Sequence, residues 1–229
     1  VGATSTVNWL VGSTVSALGI GFLSYIAKAC GAGDKSAAKR AASQAVMVVL
    51  AAGIAFTVLT LSLSSQVPVW MQVDIDIRDL AARYFFILYM PMLPRTAIII
   101  FGTILRSAGD TKTPMKVGVF MNITNVILNY FLIFATHSVT IFGLSFTIPG
   151  AGLGVIGAAV ASAIAFTYGG IHLTVVLWRH PLVSPRGVSF KPDIAILKPC
   201  MKVAFPNMLQ RFGTSLGYVA FASMVNSLG

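Results

Sequence analysis

The sequence predicts an all-α, polytopic membrane helix bundle, and three observations carry that prediction. Residues 41–73 hold no Asp, Glu, Lys or Arg, and neither do residues 117–178. The 229-residue chain is 56% hydrophobic and only 10% charged, with a mean hydropathy of +0.85. The remaining charges gather in short clusters between the apolar runs. A soluble domain must solvate its surface and its loops, so it cannot sustain such runs. A hydrocarbon core of ~30 Å takes about 20 helical residues to cross, and the runs hold several such lengths.

Six spans follow in order. The first covers residues 7–27, where Gly12, Ser16, Gly19 and Gly21 let a neighbouring helix come close. In 28–40, Gly31 and Gly33 stop that helix and Asp34 can cap the next. The second span covers 45–64. The stretch 66–79 holds Pro68, Trp70 and three of the six Asp, and Trp at such an edge suits the membrane interface. The third span, 81–105, contains Pro91, Pro94 and Arg95, so a kink is expected there. After the polar run 106–116 comes the fourth span, 117–134. A charge-free connection containing Pro149 and Gly150 leads to the fifth, 153–178. The basic connector 179–202 then opens the sixth, which starts near Val203, carries Pro206 and runs to the end.

Charge orients the spans. There are 16 Lys and Arg against 6 Asp, no Glu, and a net charge of +10. On a soluble protein that balance suggests nucleic acid. Here no basic helix face or aromatic–basic interleaving supports a nucleic-acid partner; the expected surroundings are membrane lipid and a small organic substrate. Loops 28–40, 106–116 and 179–202 are strongly basic, whereas those between them are acidic-leaning or uncharged. The positive-inside bias places the three basic loops in the cytoplasm of a cell (inner) membrane and both chain ends outside. Cys30 and Cys200 fall in these basic segments, where a disulfide is not expected. Neither has a His or second Cys at metal-ligand spacing, and no metal site or cofactor is expected. With no initial Met and no signal peptide, the chain reads as an internal piece of a longer protein.

Several motifs have ordinary explanations. GLGVIG at 152–157 matches the dinucleotide fingerprint but lacks the preceding strand and the later acid. Gly150, Gly154, Ala158 and Ser162 are instead expected to form a four-spaced face for helix packing. Asp34 and the residues after it make a helix junction rather than a phosphate loop. All six Asp lie in loops, and His137, His172 and His180 are far apart, so acid–base enzyme chemistry has no foundation.

Two features resist such explanations. Asn122, Asn125 and Asn129 fall within about 60° of each other on one helix face. Amides inside a membrane need partners, water or an ion, so the stripe is either interhelical glue or the lining of a cavity. Arg95 precedes Arg106 by eleven residues, about 16 Å of helix, which puts a guanidinium near mid-membrane.

The runs LRSAGDTKTPM at 105–115, GAGDK at 31–35, NVILNYFLIF at 125–134 and GAAVAS at 157–162 together resemble the multidrug and toxic compound extrusion (MATE) family of secondary transporters. The resemblance implies twelve helices in two lobes, alternating access, and export of amphiphilic or cationic organic compounds in exchange for Na⁺ or H⁺. It makes this chain helices two to seven: residues 1–178 most of the first lobe, 179–202 the inter-lobe linker, and 203–229 the first helix of the second lobe. The full-length protein would be a monomer. In some family members a first-lobe cation site combines an Asp on helix one, Asn and Asp four apart on helix five, and a Thr on helix six. The matching positions are Asn125, Asn129 and Ser162, with Asn in place of the helix-five Asp. A helix-seven Glu of one branch matches Thr214. With Asn122 and Arg95 these make the candidate cavity set. The alternative within the same superfamily is a lipid-linked saccharide flippase, which Arg95 keeps open.

Overall fold

The computed structural model of the chain describes residues 2–70, 73–141 and 144–228. In order, these form α1 (Gly2–Gly31), α2 (Lys35–Ser62), α3 (Val67–Trp70), α4 (Ile75–Tyr89), α5 (Met92–Ser107), α6 (Lys112–Ile133), β1 (Ala135–Ile141), β2 (Leu144–Ala151), α7 (Gly154–Arg179) and α8 (Ile194–Leu228). The chain is a multi-pass membrane helix bundle. Four segments are each long and apolar enough to cross a bilayer: Val11–Gly31 of α1, then α2, α6 and α7. The expected third span is two helices, α4 and α5, meeting at 45° and together long and apolar enough for a fifth crossing. The break falls at Pro91. Pro91 and Pro94 have no N–H, so the carbonyls of Ile87 and Met90 lose their helical donors. α8 begins at Ile194, earlier than the Val203 start expected from the charges, because Lys198 and Lys202 extend the helix beyond its apolar part.

The connection between α6 and α7 is more ordered than composition indicated. It pairs as an antiparallel hairpin, from Ala135 opposite Ala151 to Ile141 opposite Leu144, so a strand does precede the glycine run at 152–157, against expectation; it belongs to a two-stranded hairpin and not to a βαβ unit. Thr, Val and Ile make up four of the seven residues of β1, and β2 carries Phe146, Thr147 and Ile148, residue types that favour strands. The side chains of Trp70 and His137 lie outside the described residues.

α5 is the central helix of the bundle, lying against α1, α2 and α7. Its Ile100, Ile104 and Leu105 are fully buried, together with Phe22 and Ile26 of α1 and Leu173 and Leu177 of α7. α6 is peripheral: it packs on α7 and buries Val117 alone among its described side chains. Six of the eight buried residues of α7, Gly157, Ala161, Ala165, Gly169, Leu173 and Leu177, fall at four-residue spacing; Ala159 and Gly170 are the other two. The expected packing face of Gly150, Gly154, Ala158 and Ser162 has that spacing in the wrong register. Gly150 belongs to β2, and Ser162 is only half-buried. One residue of offset turns a helix face by 100°, so the spacing alone could not choose between the stripes.

The helix junctions explain where the acids went. Asp34 and Asp110 each follow a glycine with positive φ, Gly33 at 74° and Gly109 at 90°. In each case the Asp backbone N–H closes the preceding helix, on Ala29 O and Leu105 O respectively, both at 2.9 Å. Each carboxylate then accepts from the next helix: Ala37 N–H at 2.9 Å and Thr113 N–H at 3.0 Å. Asp193 likewise accepts from Ala195 N–H at 3.0 Å as α8 begins. Asp74 occupies the cap position of α4 without a side-chain bond. Asp79 pairs with Arg83 across one exposed helical turn at 2.9 Å.

The three basic segments meet at one end of the bundle. Gln44, near the start of α2, donates to Lys191 O at 2.8 Å and accepts from Asp193 N–H at 3.0 Å. Ser43 donates to Ser189 O at 2.9 Å. Both side chains are buried. They hold the connector before α8 against α2, while Asp110 lies close enough to His180 to shift its titration.

Candidate functional site

Two intramembrane polar features stand out. The first lies between α6 and α7, whose backbones approach closely at Gly157: a side chain there would run into the Leu132 and Ile133 backbone. One turn further on, Asn125 Nδ2 donates to Ser162 Oγ at 3.2 Å. Asn129 Nδ2 donates to Asn125 Oδ1 at 3.0 Å. The three side chains form one chain of hydrogen bonds across two helices. Asn129 Oδ1 is left buried with no partner. A buried amide oxygen without a donor costs on the order of 1–3 kcal/mol, so this atom is primed for a donor or a cation. The set presents neutral oxygens. Among the described residues, no group of three or more His, Cys, Asp or Glu is placed to hold a metal.

The other expected site residues are elsewhere. Asn122, a turn before Asn125, is exposed and makes no hydrogen bond to this set. Thr214 is exposed on α8, where its hydroxyl donates back to Gln210 O at 2.9 Å. α8 packs along α1, so Thr214 and the α6–α7 set lie on different parts of the bundle.

The second feature is Arg95, on the first turn of α5 just after the break. Its backbone N–H reaches Pro91 O at 3.1 Å. The guanidinium lies 4.9 Å from the ring centroid of Phe166 and 5.8 Å from that of Tyr89. These are cation–π distances, and away from water such contacts are worth about 2 kcal/mol. Tyr89 itself stacks on Phe85, with centroids 4.3 Å apart. Its hydroxyl is buried without a hydrogen bond of good geometry, and Arg95 is the charged group beside it. Arg95 therefore joins α4, α5 and α7. Sequence reasoning singled out the arginine but not its aromatic partners. Tyr89 is six residues back across a proline break, outside helical spacing, and Phe166 comes from another helix.

At the basic end, Asp110 and His180 have shifted titrations. Burial raises the Asp110 carboxyl, but hydrogen bonds from Thr113 and Lys112 and the attraction of His180 outweigh it and hold the group below its usual range. Burial pushes the His180 imidazole down, and Asp110 only partly offsets that.

A membrane bundle with a broken central span and a hydrogen-bonded polar set between two helices has the build of a transporter. The MatE family model matches residues 1–131, more than half of the chain. The chain belongs to the MATE family and is not an enzyme. The probable multidrug resistance protein NorM of Thermotoga maritima is 28% identical over 225 residues, covering 98% of this chain and 46% of that protein. A MATE structure in complex with MaD3S has a TM-score of 0.84 at 24% identity, covering all of this chain and 49% of that one. An inward-facing multidrug resistance MATE transporter of the MOP superfamily gives 0.78 at 25% identity, over 94% of this chain and 46% of that one. An outward-facing one gives 0.81 at 24% identity, over 95% and 46% respectively. The chain thus spans about half the length of the relatives it matches.

Proposed function

We propose that this chain forms most of one lobe, with the first helix of the next, of a secondary antiporter. It exports amphiphilic or cationic organic compounds in exchange for Na⁺ or H⁺ by alternating access, without a cofactor and as a monomer at full length. The observation that carries the reading is the Asn125–Asn129–Ser162 chain with its unpartnered Asn129 Oδ1. A polar, half-satisfied cluster inside lipid is costly and is retained where an ion or substrate completes it. The antiporter is preferred to the saccharide flippase because the Arg95 charge is already packed on two aromatic rings. The basic end faces the cytoplasm of the cell membrane.

The test uses the full-length protein in proteoliposomes with an imposed Na⁺ or H⁺ gradient and ethidium as the transported probe. Asn129→Ala is expected to slow gradient-driven efflux at least tenfold with protein level unchanged. Asn129→Asp is expected to retain activity and to acquire a new pH dependence. Normal efflux by Asn129→Ala makes the cluster packing glue and refutes the assignment.

A further inference from the structure

A groove open to the bundle surface runs between α2 and α7, on a floor made by the α4–α5 break. Leu50, Ile54 and Val58 form one wall, and Ile164, Ile171 and Val175 the other. Its two stretches, of about 540 and 910 Å³, share Leu93, Pro94 and Ile171 and so are continuous. The floor is deep because Gly170 lets α7 settle onto Pro94 itself. From Ile171 to Trp178 the 540 Å³ stretch rises about 10 Å, most of one leaflet of a ~30 Å hydrocarbon core. Trp178 and Phe190 close it at the basic end.

Immediately beyond Phe190 the chemistry changes sign. Arg40 and Lys191 line an adjoining hollow of about 490 Å³. Both are exposed, and neither forms an ion pair among the described residues. The acid that also lines this hollow, Asp193, is engaged as the cap of α8 through Ala195 N–H at 3.0 Å. The hollow is a built feature: the buried side chains of Ser43 and Gln44 hold the backbone on both sides of Phe190, at Ser189 O and Lys191 O. An apolar slot most of one leaflet deep, ending in two exposed cations, matches a single amphiphile.

We propose that this groove holds an acyl chain of an anionic phospholipid from the leaflet at the basic end, with its phosphate on Arg40 and Lys191. The site is independent of the Asn129 cluster and of the antiport assignment.

Native mass spectrometry of the full-length protein, released from nanodiscs of mixed phosphatidylglycerol and phosphatidylcholine, tests this directly. The unaltered protein is expected to retain one phosphatidylglycerol in preference to phosphatidylcholine. The pair Arg40→Gln with Lys191→Gln is expected to weaken that retention about 30-fold, roughly fivefold for each surface basic group. Val175→Trp, at a position 43% exposed and outside the core, fills the slot and is expected to displace the same lipid. Equal retention of both lipids, or of neither, overturns the proposal. Loss in the charge pair without loss in Val175→Trp reduces the site to a phosphate contact at the rim and refutes the groove. Retention in the charge pair refutes recognition of the head group.

Discussion

Arg95 sits where a charge is most expensive, and what holds it is two aromatic faces. Removing the guanidinium relieves an insertion cost of about 2.5–3.5 kcal/mol but leaves Tyr89 and Phe166 around an empty, partly polar space. In the folded protein the contacts dominate, since the cost of insertion has already been met by the protein that reaches the membrane. Arg95→Gln is therefore expected to lower stability by about 1–2 kcal/mol, with Arg95→Lys recovering part of the loss; thermal unfolding in detergent reads both. A Gln variant that melts with the wild type shows that the aromatic contact contributes nothing. The electrostatic influence of Asp110 on His180 makes a second residue-level prediction. The folded pKa of His180 lies below its ordinary value of about 6.5. Its neutral-state stabilisation is complete above that value and is lost as pH falls toward the folded pKa. The depressed Asp110 carboxyl acts in the same direction at lower pH, its contribution disappearing as pH falls through its folded pKa. Protection factors for amide exchange at Thr113 and Ser184, referred to the intrinsic rate at each pH, are expected to fall on acidification. Asp110→Asn keeps the cap but removes the upward pull on His180, so the imidazole should titrate lower still by NMR. An unchanged His180 titration would show that the two groups do not interact. The Asn pair and Arg95 were legible from spacing and depth. The Gln44 clamp was not, because an amide near the start of a charge-free run carries no signal of the distant backbone it bonds.

Among the elements, α5 and α7 show how far pattern reading reaches. The kink at Pro91 and the helix stop at Gly33 follow from local chemistry, and the structure places both as expected. The buried register of α7 depends on what packs against it, and in lipid both faces of a helix are apolar. Hydrophobic periodicity then loses its contrast, and close-approach glycines become the better guide. Gly170 is the clearest case: a Cβ there would lie 2.5 Å from Pro94 Cβ and 2.7 Å from Pro94 Cα and O. The obstacle is backbone and ring, so no side-chain rotation relieves it. Gly170→Leu is expected to destabilise by at least about 1–3 kcal/mol and to reduce the folded yield. Gly118→Ala, on α6 with nothing within 4 Å of the added carbon, is expected to be neutral or stabilising by up to about 1 kcal/mol. Melting temperatures of the two variants in one detergent decide the point. Equal behaviour would mean that the α5–α7 crossing is not tightly packed.

For the molecule as a whole, the structure supplies what loop charges alone could not: the three basic segments physically meet. Gln44 binds the connector at Lys191 and Asp193, and Asp110 senses His180, so 28–40, 106–116 and 179–202 share one end. Which side of the membrane that end faces still rests on the bias of Lys and Arg toward the cytoplasm. The two native thiols are poor reporters of it. Cys200 is 1% exposed, inside α8 against α1 rather than in a loop, and will stay silent to reagents from either side. Cys30 is half-buried. Better probes are Ser36 at the start of α2 and Ser65 just beyond its end, both exposed and separated by nearly the full length of a 28-residue helix, about 42 Å. In a background of Cys30→Ser and Cys200→Ala, Ser65→Cys is expected to react with an impermeant maleimide on intact cells. Ser36→Cys is expected to react only after permeabilisation. The reverse pattern would invert the orientation while leaving the fold intact. Labelling of both on intact cells would show that α2 does not cross the membrane, against its length, its hydropathy and its place on the central helix α5.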